Sequence, residues 1–147
     1  LVVHWPGRIQ AGSTSDLIAA NYDMPATLAA IAGSSFDEDT DGISFLPTLL
    51  GRVRDQAEHG FLFWDFAGYG GQLAVRMGKW KGVKKDLVKN PDAPLELYNL
   101  ETDIGETKDL ASYYPEISNK IENIMLQERT IPIKKFRFGR YNQPTEL

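Results

Sequence analysis

The chain contains no cysteine, which excludes a disulfide framework, a thiolate metal site and a thiol nucleophile while leaving the redox compartment open. Histidine is nearly absent as well. His4 and His59 are the only two, and neither stands in a ligand spacing such as H-E-x-x-H, so both read as structural or surface residues. No apolar run approaches the roughly 20 residues of a membrane helix. The opening residues predict a strand rather than a signal peptide. The net charge of −4 is too small to argue for nucleic acid or an anionic membrane as a partner. No G-x-S-x-G elbow, P-loop or dinucleotide fingerprint occurs. Asp37, Glu38, Asp39 and Asp41 are acidic without the ligand order of a Ca²⁺ loop, and read as a solvated loop.

What is present is enough for one ordinary globular domain: 147 residues, 42% hydrophobic and 11% aromatic. The most informative stretch is residues 72–84. Leu73, Val75 and Met77 alternate with Gln72, Ala74 and Arg76, the period of a strand with one buried face. Gly78-Lys79 supplies a two-residue turn. That turn places Met77 opposite Trp80, Arg76 opposite Lys81 and Val75 opposite Gly82. Around this hairpin, residues 1–5 predict a strand that looks cut from something longer, ended by Pro6-Gly7. Residues 23–32 predict a short helix with Pro25 in its first turn and Gly33 as its stop. Pro47 allows one helical turn at most within 43–50. The aromatic run 61–66 predicts a strand buried on both faces. Residues 95–100 alternate again as a fourth strand, and Ile117, Ile121, Ile124 and Met125 form the apolar stripe of a helix opened by Pro115. The basic, aromatic residues 131–147 predict an extended tail.

Arg76 and Lys81 are the polar pair of most interest, because like charges directly opposite one another are unfavourable. One reading has Glu96 or Asp65, on flanking strands, neutralise them. The other makes them an anion-binding edge completed by Tyr69 and Gln72. Trp64, Trp80 and Tyr98 read as sheet core in preference to a sugar-stacking platform. Contact of the basic tail with RNA or single-stranded DNA is disfavoured by the acidic whole.

Several landmarks in order carry a family resemblance: His4-Trp5-Pro6-Gly7, Asp16, Tyr22-Asp23-Met24-Pro25-Ala26-Thr27-Leu28 with Gly33, Asp41-Gly42-Ile43-Ser44-Phe45, the aromatic run, Ala74-Val75-Arg76-Met77-Gly78-Lys79-Trp80-Lys81, and Glu96-Leu97-Tyr98-Asn99-Leu100 followed by Asp103 and Glu106. Up to about Gln127 the chain resembles the C-terminal portion of type I, formylglycine-dependent, arylsulfatase-like sulfatases of the alkaline phosphatase superfamily. In residues 64–81 it looks most like the bacterial carbohydrate sulfatases. The resemblance implies a parent hydrolase of sulfuric esters that uses Ca²⁺ and a formylglycine made within a C/S-x-P-x-R motif. That motif is missing here, so no catalytic or metal-binding position of the family carries over to any residue of this chain.

The implied fold is α+β. A small four-stranded antiparallel sheet with a packed C-terminal helix, at about 115–129, follows an N-terminal remnant, a strand and short helix, of a larger α/β domain. The implied boundaries are 1–52 for the catalytic-domain remnant, 53–130 for the C-terminal subdomain and 131–147 for the tail. The resemblance also implies a missing N-terminal catalytic domain as partner, sulfated carbohydrate as the parent's substrate, a periplasmic or secreted parent, and self-association of the isolated chain. The chain itself is expected to bind no cofactor. Asp65, Tyr69, Gln72, Arg76 and Lys81 are the candidate substrate-selecting residues. The alternatives are the same region of a superfamily phosphodiesterase or phosphonate hydrolase, and a stand-alone carbohydrate-binding module.

Overall fold

The computed structural model describes residues 1–36, 40–130 and Phe138. The acidic residues 37–39 and the predicted tail, apart from Phe138, lie outside them. The chain divides into two compact units, Leu1–Gly60 and Phe61–Leu147.

In the first unit, α1 (Asp23–Ile31) and the single turn α2 (Leu46–Leu49) are followed by a short 3-10 turn at Val53–Asp55. The inward face of α1 is polar. Asp23 and Thr27 are buried, and their side chains knit the helix to the segment after the acidic loop. Asp23 accepts hydrogen bonds from Ala20 N at 2.7 Å and Ile43 N at 2.9 Å. Thr27 Oγ1 donates to Asp23 O and accepts from Phe45 N. Gly42 permits this close approach, because a Cβ there would collide with the carbonyl oxygen of Tyr22. Gln56 ties the 3-10 turn back, donating to Ser44 O and accepting from Thr48 N and Oγ1. Residues 1–5 pair with no strand among the described residues. The β-branched pattern there has no ladder to join, and β propensity needs a neighbouring strand to act on.

The second unit is an antiparallel meander, β1 (Leu62–Phe66), β2 (Gln72–Met77), β3 (Trp80–Lys84) and β4 (Glu96–Asn99), in spatial order β1-β2-β3-β4. The central hairpin has the predicted register, with Met77 opposite Trp80, Arg76 opposite Lys81 and Val75 opposite Gly82. Gly78 has φ 55°, the positive value this turn demands. Helix α3 (Pro115–Gln127) covers one face. Its Ile121 and Met125 bury against Leu73, Val75, Leu95 and Leu97, with Ile117 and Ile124 packed at the margin. Each fully buried aliphatic side chain here contributes about 1.5–3 kcal/mol.

Two further expectations need correction. Strand β1 is not buried on both faces: Leu62 is buried, but Trp64 and Phe66 are 38% and 52% exposed. The first strand of a meander pairs on one side only, so apolar composition alone does not carry it inside. Trp64, Trp80 and Tyr98 also form no cluster. Trp80 shares the α3 face and lies 4.8 Å from the Tyr114 ring, whereas the ladder puts Trp64 and Tyr98 on the opposite face.

Candidate functional site

The β1–β2 connection is a bent, well-anchored loop. Tyr69, Gly70 and Gly71 have φ of 49°, 83° and 80°; two are glycines, but Tyr69 holds a left-handed conformation that costs an ordinary residue free energy. Backbone hydrogen bonds keep it there, from Gly71 N to Gly68 O, Leu87 N to Gly71 O and Val88 N to Gly70 O. A Cβ at Gly70 would sit 2.7 Å from Asp86 Oδ1, so the loop also needs glycine for room. The result is a hydrogen-bonded bend that leaves Tyr69 85% exposed, its ring centroid 6.0 Å from that of Phe66.

The candidate residues divide by face. Gln72 and Arg76 alternate with the core positions of β2 and stand on the face away from α3, with Gln72 opposite Phe66 and Arg76 between Leu62 and Lys81. Asp65 projects to the α3 face. There it accepts a 2.7 Å hydrogen bond from Nε of Arg129, whose side chain is 1% exposed. Arg129 Nη1 also donates to Phe138 O at 2.6 Å, and its guanidinium lies 4.2 Å from the Phe138 ring centroid. Asp65 is thus committed to holding a buried cation. Lys81 is likewise engaged, by Glu106.

The acid predicted beside the opposed cations is therefore present, but it is neither Glu96 nor Asp65. Glu96 pairs with Lys85 at 2.5 Å and accepts from the Tyr98 hydroxyl at 2.6 Å. The hydrogen bond from Lys85 is the main cause holding the Glu96 carboxyl below its usual range. Burial first, and then the hydrogen bond to Glu96, push the Tyr98 phenol above the ordinary tyrosine value. Glu106 reaches Lys81 from the turn after β4. That turn is shaped by Asp103, which accepts from the backbone of Thr107 and Lys108 and from Thr107 Oγ1. The Lys108 backbone bond leads the causes that lower the Asp103 pKa. No strand periodicity announces a partner delivered by such a turn. Lys79 and Lys84 pair with Glu101 and Glu122. Arg76 differs: its Nε donates to Gly78 O at 3.3 Å, and among the described residues no carboxylate pairs with it.

Among the described residues no nucleophilic site assembles. His59 Nε2 lies 2.8 Å from Asp23 Oδ1, but the nearby Thr27 hydroxyl is spent on Asp23 O and Phe45 N, so the pair fastens the first unit. Among the described residues no group of three or more His, Cys, Asp or Glu is placed to hold a metal ion, and no helix is long and apolar enough to cross a membrane. An open groove of about 450 Å³ between α3 and the segment after β3, lined by Lys84, Leu87, Asn119 and Glu122, lies apart from the candidate residues.

Fold and side chains together define a sheet-and-helix module, four antiparallel strands with α3 laid over one face. Residues 1–131 match the family described as N-sulphoglucosamine sulphohydrolase, C-terminal, and the chain belongs to that family. It is 31% identical to human arylsulfatase A over 83% of its own length and 28% of that protein. It is also 47% identical to the ulvan-active sulfatase of Formosa agariphila, over 35% of this chain and 10% of that one. Among solved structures, BT4656 in complex with its substrate D-glucosamine-2-N,6-O-disulfate superposes with TM-score 0.65 at 19% identity, covering 82% of this chain and 26% of that one. Ps i-CgsB in complex with k-i-k-neocarrahexaose gives 0.62 at 26% identity, over 83% and 26%. The chain therefore spans about a quarter of the length of human arylsulfatase A and of both solved structures.

Proposed function

We propose that the chain is the structural and substrate-selecting C-terminal part of a sulfuric ester hydrolase that acts on sulfated carbohydrate, with the bond-breaking groups supplied by an α/β domain that it completes. The observation that carries this reading is the family match across residues 1–131. The sugar ligands named for two solved relatives support the substrate class. Residues 1–52 are read as part of the α/β domain and 53–130 as the C-terminal subdomain.

Sulfate ester hydrolysis needs an activated nucleophile and positive charge on the developing sulfuryl oxygens. Formylglycine and Ca²⁺ supply these in the proposed whole enzyme. Among the described residues the donors do not fit such a cation: no three His, Asp or Glu side chains converge, and Asp65, Glu106 and Asp103 are spent on Arg129, Lys81 and backbone amides. No catalytic step runs through them. Of the candidate residues, Tyr69, Gln72 and Arg76 face substrate, while Asp65 and Lys81 hold their surroundings in place.

The test is expression of the gene with the codons upstream of Leu1. The reading expects sulfate release from sulfated oligosaccharides by the longer protein and none from the 147-residue chain. Hydrolysis of a phosphodiester in place of a sulfate ester by the longer protein, or turnover of an aryl sulfate by the short chain, overturns it.

A further inference from the structure

We propose that Trp64, Phe66 and Tyr69 form a stacking platform for a pyranose ring, and that Arg76 takes the sulfate of the same sugar. The proposal rests on the sulfatase reading and names residues and a ligand chemistry for it.

Three observations converge. First, the rings are open to solvent in a row. Trp64 and Phe66 are two residues apart on one strand and hence share a face, and Tyr69 stands against Phe66. The cross-strand neighbour of Trp64 is Ala74, too small to cover an indole. An exposed apolar cluster of this kind is a recognition surface more often than an accident. Second, Tyr69 is held in a left-handed conformation in which glycine would be free of strain. Strain maintained by three backbone hydrogen bonds, while the side chain makes little contact, points to a role for the ring outside the fold. Third, the charge has the sign a sulfate requires. Lys79, Lys81, Lys84 and Lys85 each pair with a glutamate, whereas Arg76 is left without one among the described residues. It is two residues along β2 from Ala74, diagonal to Trp64 by about 7–8 Å, within the span of one substituted sugar. A planar guanidinium binds tetrahedral oxyanions through two parallel hydrogen bonds, and Gln72 opposite Phe66 adds donors and an acceptor for hydroxyls.

The experiment is titration of the 147-residue chain with a heparin tetrasaccharide and with the same oligosaccharide after chemical desulfation, followed by calorimetry and amide chemical shifts. The expected result is saturable binding of the sulfated probe that shifts the amides of residues 64–76. Arg76→Gln should weaken it by about tenfold, as loss of a charge-assisted hydrogen bond implies, and abolish the preference over the desulfated probe. Tyr69→Gly should also weaken binding by about tenfold while raising thermal stability, so its loss cannot be blamed on unfolding. Absence of binding, binding unaffected by both variants, or an equal affinity for the two probes overturns the platform. Any of these leaves the sulfatase reading standing, since that is decided by sulfate release from the longer protein.

Discussion

Ile121 lies over Gly82 so closely that a Cβ on that glycine would sit 2.5 Å from the Ile121 Cγ2 methyl. The helix approaches the sheet at its centre through this gap. Gly82→Ala is therefore expected to destabilise the second unit by about 1–3 kcal/mol, the usual cost of overpacking. Combining it with Ile121→Ala should cost less than the sum of the two changes. Thermal melts of the two single variants and the double variant measure this directly, and simple additivity would show that the contact is not tight.

Among the described residues Asp65 and Arg129 form the most buried ion pair of the second unit. Asp65→Ala removes a carboxylate that accepts from a buried guanidinium, and removing one partner of a buried pair costs about 3 kcal/mol. Denaturant midpoints should register the loss. A neutral outcome would mean that Asp65 is available to a ligand after all.

Glu96 and Tyr98 predict opposite pH limbs. The folded pKa of Glu96 lies below its reference of 4.5, so its contribution is present above that value and disappears as pH falls through the lower, folded pKa. Tyr98 is raised above its reference of 10.0; its contribution is full below pH 10 and lost as pH climbs toward the folded pKa. Glu96→Gln should flatten part of the acid limb of a melting temperature–pH curve and Tyr98→Phe part of the alkaline limb. Unchanged limbs in both variants would place the titrations elsewhere.

The outward stripe of α1, Met24, Leu28 and Ile31, is 36%, 57% and 40% exposed. An apolar helix stripe usually finds cover, and in the proposed whole enzyme that cover is the α/β domain. In the isolated chain a second copy is expected to provide it. Sedimentation at rising concentration should show self-association, and Leu28→Glu should return the chain toward monomer. A wild-type chain that stays monomeric throughout would refute this.

The register of the β2–β3 hairpin was legible because a two-residue turn and period-two alternation leave one way to place apolar side chains on a single face. Helix α3 was legible for the corresponding reason at helical period. Lys81 and Arg76 were correctly placed opposite each other, yet their surroundings were not readable. Glu106 arrives from a turn bent by Asp103, and Arg129 reaches Asp65 across 64 residues of sequence.

Local pattern thus determined the four strands of the sheet, helices α1 and α3 and which family the chain resembles, though not the fate of residues 1–5, since turn chemistry and side-chain period act over a few neighbouring residues. Tertiary structure alone decided which charges are spent and which aromatic rings stay in water. Salt-bridge partners and edge positions depend on how distant segments fold back, and a strand rich in Phe and Trp reads the same whether a neighbour covers it or not.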